Sequence, residues 1–116
     1  MKTLLRLEET AQFLLSIFLF TRLDFAWWWF PALILLPDLS MIGYIINTKT
    51  GAALYNLVHH KGLGILIGIA GVIIRNQELM LAGIILFGHS AMDRIFGYGL
   101  KYNDDFKHTH LGQIGE

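Results

Sequence analysis

The chain has 116 residues, enough for one domain, with 54% apolar and 16% charged residues, no cysteine and a formal net charge of zero. A soluble domain carries about 25% charged residues, so this balance favours lipid as solvent, and the absence of a basic field excludes the electrostatic footprint of a nucleic-acid binder. Without thiols there are no disulfides, thiolate metal sites or dithiol redox motifs, and any metal must be held by nitrogen and oxygen.

Residues 3–20 form a first apolar segment, with Glu8 and Glu9 about two turns inside it and an uncharged run from Phe13 to Phe20. The basic opening Met1-Lys2-Thr3-Leu4-Leu5-Arg6 has the outline of a signal peptide, but the two glutamates interrupt it, and the segment is read as retained. Thr21-Arg22-Leu23-Asp24 is a short polar connection. A second segment, 26–46, opens on the interfacial cluster Trp27-Trp28-Trp29 and carries Pro37-Asp38 at its centre. Proline there leaves the carbonyl of Leu33 without its helical donor and kinks the chain, which suits backbone lining a cavity.

After Asn47-Thr48-Lys49-Thr50, a third segment, 51–74, contains Tyr55, Asn56, His59, His60 and Lys61, then Gly62, Gly64, Gly68 and Gly71. Gly64 and Gly68 have the spacing that lets helices approach closely, and a bend or break is expected near Lys61-Gly62. Arg75-Asn76-Gln77-Glu78 turns the chain into a fourth segment, 78–97, whose end reads Gly88-His89-Ser90-Ala91-Met92-Asp93-Arg94. A polar tail, 98–116, follows.

Each run is close to the roughly 20 residues that cross a bilayer as helix, and the runs 13–20, 63–74 and 79–88 lack the polar stripe of a soluble bundle. The expectation is an all-α, polytopic membrane protein with four transmembrane helices in one domain and a polar C-terminal tail. Lys2, Arg6, Lys49, Arg94, Lys101 and Lys107 fall on one side and only Arg22 and Arg75 on the other. The positive-inside rule therefore puts both termini in the cytoplasm.

At about 1.5 Å per residue, Glu8, Asp38, His59, His89 and Asp93 share a band roughly 6–13 Å from the inner ends of their helices. Ionisable groups inside spans are expensive and read as functional, and His89 and Asp93 lie four residues apart on one face. The pattern predicts a polar cavity open to the cytoplasm. Its metal ligands would come from Asp38, His59 or His60, His89, Asp93, and His108 or His110 of the tail, with Glu8 as general base. Such donors suit a divalent metal, Zn, Mn or Fe, and an open position on it activates water. The reading is a metal-dependent membrane hydrolase with an amphiphilic small-molecule substrate.

Two other classes use the same residues. One is a small proton-coupled carrier or membrane subunit, with the carboxylates and imidazoles as a relay and Gly64 and Gly68 supporting a homo-oligomer. The other is a bis-histidine haem protein using His59 and His89. Plainer structural readings stand beside them. In these, His89 and Asp93 tie a helix end to Arg94, Glu8 and Glu9 favour a helix dipole, His60-Lys61 snorkel, and His108-Thr109-His110 is a solvated tail.

The string Leu36-Pro37-Asp38-Leu39-Ser40-Met41-Ile42-Gly43-Tyr44 is followed by Tyr55-Asn56, His59-His60, Gly88-His89, Met92-Asp93-Arg94 and Gly97-Tyr98-Gly99-Leu100-Lys101. With the ending Phe106-Lys107-His108-Thr109-His110-Leu111-Gly112, it resembles the short bacterial membrane-protein family called domain of unknown function 4260 over nearly the whole chain. The resemblance implies the membrane span, with a bacterial inner membrane as its setting, and assigns no activity. More distantly, Leu36-Pro37-Asp38 and His60-Lys61-Gly62-Leu63 are similar to elements of inner-membrane metal-dependent hydrolases. That family has Thr and His where this chain has Gly64 and Ile65, so the likeness reaches Asp38 and His60 alone.

Overall fold

The computed structural model describes residues 2–38, 47–96, 108–109 and 112–113. The body is all-α: α1 (Lys2–Thr21), α2 (Trp29–Leu33), α3 (Thr48–Val58), α4 (Lys61–Ile74) and α5 (Gln77–Ile95). In the tail, β1 (His108–Thr109) and β2 (Gly112–Gln113) form a two-residue antiparallel pairing. Helix α5 is the element on which α1 and α4 both pack. It starts at Asn76, whose side chain accepts from the Leu79 N–H, and it carries Glu78 in its first turn and Arg94 in its last, charges that match the helix dipole.

A tight reversal joins α4 to α5. The Arg75 N–H donates to Val72 O and the Asn76 N–H to Gly71 O, the paired bonds of a Schellman ending, with Arg75 left-handed at φ 57°. The two helices then meet backbone to backbone. A Cβ on Gly83 would lie 2.4 Å from Gly68 N and 2.7 Å from Gly64 O, and one on Gly71 would lie 2.6 Å from Met80 N. The glycine spacing read from the sequence is thus used inside the chain, where α4 meets α5.

On the other side, α1 reaches α5 at Ser16, which is fully buried against Gly88; a Cβ there would stand 2.5 Å from Ser16 Oγ. Phe20, Phe30, Ile34, Leu81, Ile84 and Ile85 form the apolar core between α1, α2 and α5. Phe30 packs against the rings of Phe13 and Phe20, with centroids 6.0 and 5.4 Å away. Asp24 and Gln77 exchange two hydrogen bonds of 2.9 Å, holding the α1–α2 connection to the start of α5. These contacts position the 30–38 stretch along the face of α5 that carries His89.

The second and third segments are more broken than their hydropathy suggests. Of the helix expected over 26–46, α2 covers Trp29–Leu33, and 36–38 form a tight 3₁₀ turn around Pro37; the remainder, 39–46, lies outside the described residues. The third segment is two helices bent by 43° at His59-His60. Asn47 caps α3 by accepting from the Thr50 N–H, and His60 enters α4 in an extended conformation. The break falls two residues before the Lys61-Gly62 position expected for it, on the pair that directly precedes it. Among the described residues no single helix is long and apolar enough to cross a membrane, whereas the bent pair α3 and α4 passes that test together.

Candidate metal centre

Three stretches distant in sequence deliver four polar side chains to one point. The 3₁₀ turn after α2 brings Asp38, the end of α3 brings His59, and α5 brings His89 and Asp93 one turn apart. One donor atom from each lies within 4.8 Å of the others. His89 Nε2 is 2.9 Å from Asp38 Oδ1 and 3.4 Å from Asp93 Oδ2; His59 Nε2 is 3.5 Å from Asp38 Oδ1 and 3.2 Å from Asp93 Oδ2. His89 is fully buried and His59 nearly so, whereas the Asp38 side chain is 38% exposed. The cluster is therefore closed on the protein side and open at Asp38.

Backbone carbonyls orient both imidazoles. His89 Nδ1 donates to Ile34 O, and His59 Nδ1 donates to Tyr55 O at 3.0 Å. A carbonyl only accepts, so each Nδ1 carries a hydrogen and each ring turns its Nε2 toward the carboxylates. The Ile34 carbonyl is available because the 3₁₀ turn diverts its helical partner, the Asp38 N–H, to Leu35 O at 3.1 Å. Pro37 was expected to free the carbonyl of Leu33; the carbonyl used by the cluster is that of Ile34, one residue on.

Two carboxylates and two imidazole Nε2 atoms converge on one point, where the negative charge of the carboxylates is balanced by positive charge on the rings or on a cation held between the four groups. Four ligands placed about 2.0–2.2 Å from a tetrahedral cation have edges of roughly 3.3–3.6 Å. Three of the four nitrogen–oxygen separations, 3.2, 3.4 and 3.5 Å, are close to that spacing, and they exceed or sit at the limit of ordinary hydrogen-bond length. The group can hold a metal ion.

Sequence reasoning singled out the four members but left His59 and His60 unseparated. The bend resolves the pair: His59 ends α3 facing inward, and His60 is exposed at the start of α4. Glu8 is exposed on α1 and outside the cluster. Its neighbour Glu9, with Gln12, accepts from Lys61 Nζ, which ties α1 to α4. Of His108 only the backbone in β1 is described, and His110 lies outside the described residues.

Tyr55 is the residue that the sequence left without a role. It is buried, its hydroxyl donates to Asp93 Oδ2 at 3.0 Å, and its ring stacks on His59 with centroids 3.8 Å apart and planes 7° apart. Its place four residues before His59 is the signal that could have found it, since helical i and i+4 residues share a face.

Compared with protein families, residues 2–114 match the family model described as domain of unknown function (DUF4260). No curated protein and no solved structure matches the chain. Neither comparison carries the distant likeness to metal-dependent hydrolases, so a hydrolase reading rests on the chemistry of the cluster.

Proposed function

We propose, for a chain that belongs to the DUF4260 family, a membrane-embedded metal-dependent hydrolase in which Asp38, His59, His89 and Asp93 hold one divalent cation. The observation that carries the reading is the convergence of two Nε2 atoms and two carboxylates from separate stretches within 4.8 Å. Such a donor set suits Zn, Mn or Fe, and a cation so held supplies an activated water and polarises a carbonyl or phosphoryl oxygen. His59, His89 and Asp93 are the fixed ligands. Asp38, the most exposed of the four, would be the ligand on the open side, nearest to an entering substrate.

Embedding in lipid is supported by what faces outward. Leu66 is 67% exposed, Ile73 72% and Trp27 77%, a surface that water disfavours and acyl chains match. In this reading α3 and α4 together make one bent span, and the polar cluster lies beside the bend. If the four apolar runs of the sequence are the spans, the distribution of Lys and Arg along the chain puts both termini in the cytoplasm.

A proton relay in a carrier or membrane subunit is the second reading, favoured by the short His89–Asp38 approach and the Tyr55–Asp93 hydrogen bond. The haem alternative is disfavoured, because a macrocycle between His59 and His89 would need the space that Asp38 Oδ1 and Asp93 Oδ2 take, each within 3.5 Å of both rings' Nε2 atoms. Elemental analysis of the detergent-purified chain, prepared without chelators, tests the proposal. Near-stoichiometric metal that disappears in His89→Ala is the expected result. No metal in either protein after challenge with Zn²⁺ and Mn²⁺ overturns it in favour of the relay.

A further inference from the structure

Helices α1 and α4 both lie on α5 without packing closely on each other, and an apolar groove of about 580 Å³ runs between them with α5 as its floor. Leu15, Leu19, Ile65, Ile69 and Ile84 are among its walls, and Arg22 is the one charged side chain among the described residues that line it. The groove follows α4 from Gly64 to Ile73, a length of about 13 Å at the helical rise. At its inner end the gap is bridged by Lys61 reaching Glu9 and Gln12. At that end, a gap spanned by one lysine side chain is too narrow to seat a helix, whose diameter is about 10–12 Å, but it admits a single hydrocarbon chain.

We propose that this groove binds one acyl chain of an anionic lipid whose headgroup lies on Arg22. The charge pattern sets the polarity: apolar walls along the length, a guanidinium at the mouth, and a closed polar clasp at the far end. Arginine pairs with phosphate through two parallel N–H donors, which gives the mouth a preference for an anionic headgroup over a zwitterionic one. Gly68 opens onto the groove, because a Cβ built there meets no atom within 4 Å. The site is separate from the metal cluster and does not depend on it.

Native mass spectrometry of the full chain in detergent, titrated with dioleoylphosphatidylglycerol and separately with dioleoylphosphatidylcholine, tests the proposal. The expected result is one phosphatidylglycerol retained per chain with about tenfold preference, the scale of one charge-assisted hydrogen bond. Arg22→Gln removes the preference, and Gly68→Leu, which fills the groove, removes retention of both lipids while helicity by circular dichroism is unchanged. Equal retention of the two lipids by the native chain overturns the proposal, as does retention unaffected by either substitution. A dimer in the same spectra that Gly68→Leu dissociates, with lipid retention unchanged, assigns the groove to a second copy and also overturns it. Should Gly68→Leu fail to fold, Arg22→Gln decides alone. A chain that retains phosphatidylglycerol as expected but carries no metal would remove the hydrolase reading and leave the groove standing.

Discussion

His89 Nε2 stands 2.9 Å from Asp38 Oδ1, although 51 residues separate the two in sequence. The approach depends on a ring held from behind by the Ile34 carbonyl and on the turn that frees that carbonyl. Asp38 is the most exposed member of the cluster, so Asp38→Asn removes a charged ligand while preserving shape and leaves helicity intact. Metal affinity should fall by more than the roughly 10–100-fold that loss of an outer-shell partner costs. Competition with a chelator of known affinity measures it, and unchanged affinity would remove Asp38 from the ligand set.

Adjacent histidines with opposite surroundings give a clean discrimination. His59→Ala should abolish metal retention and His60→Ala should leave it at the native level, because the first imidazole is buried in the cluster and the second is exposed at the start of α4. Elemental analysis of the two variants side by side is the check. Loss in His60→Ala alone would show that the bend presents the other ring, and loss in both would put both rings at the metal.

The Tyr55 hydroxyl serves Asp93, and its ring serves His59. Tyr55→Phe keeps the stacking and deletes the hydrogen bond to Asp93 Oδ2, so metal affinity should fall by about 10–100-fold. The unfolding free energy should change by only about 1 kcal/mol. Tyr55→Leu also removes the ring and should cost more in both. Equal metal affinity in the native protein and Tyr55→Phe would reduce Tyr55 to a packing residue.

Two glycines facing each other across α4 and α5 should respond in opposite ways to the same methyl group. At Gly83 the added carbon would stand 2.4 Å from Gly68 N, and backbone on that side has no room to yield. Gly83→Ala should destabilise by about 1–3 kcal/mol or more through overpacking. Gly68→Ala meets nothing within 4 Å and, in mid-helix, should be neutral or stabilising by about 0.4–1 kcal/mol. Thermal unfolding in detergent separates the two, and a similar loss in both would place the close contact elsewhere.

Metal linkage gives an independent measure of the cluster. At a free metal concentration about 100 times Kd, the native chain should gain about 2.7 kcal/mol of stability, reversed by a chelator. Asp93→Asn should show no such gain at the same concentration, because it replaces the anionic oxygen shared by His59 and His89. A gain of equal size in that variant would indicate metal bound at another place.

What the sequence determined by itself was set by short-range physics. Composition announced an apolar exterior and a helical body, and the extents of α1 and α5 follow from long, largely apolar segments ended by polar connections. The i, i+4 relation of His89 and Asp93 is a property of one helix and needs no fold to be seen. Asp38 was legible because a carboxylate beside proline in an apolar run has no local reason to be there.

Tertiary structure decided what depends on direction and on distant partners. The bend at His59-His60 chooses which imidazole faces inward, since one changed backbone conformation sends neighbouring side chains apart. Pro37 announces a disrupted helix, but whether the freed carbonyl is that of Leu33 or Ile34 depends on which N–H the following turn uses, and His89 completes the choice from α5. Glu8 and Glu9 look alike in sequence; packing of α1 leaves the first exposed and gives the second to Lys61. Gly64 and Gly68 advertise close helix approach, and only the α4–α5 reversal at Arg75 makes Gly83 the surface they meet. Periodicity ranks the residues that can share a face, whereas assembling four donors around one point requires three stretches to be fixed against one another.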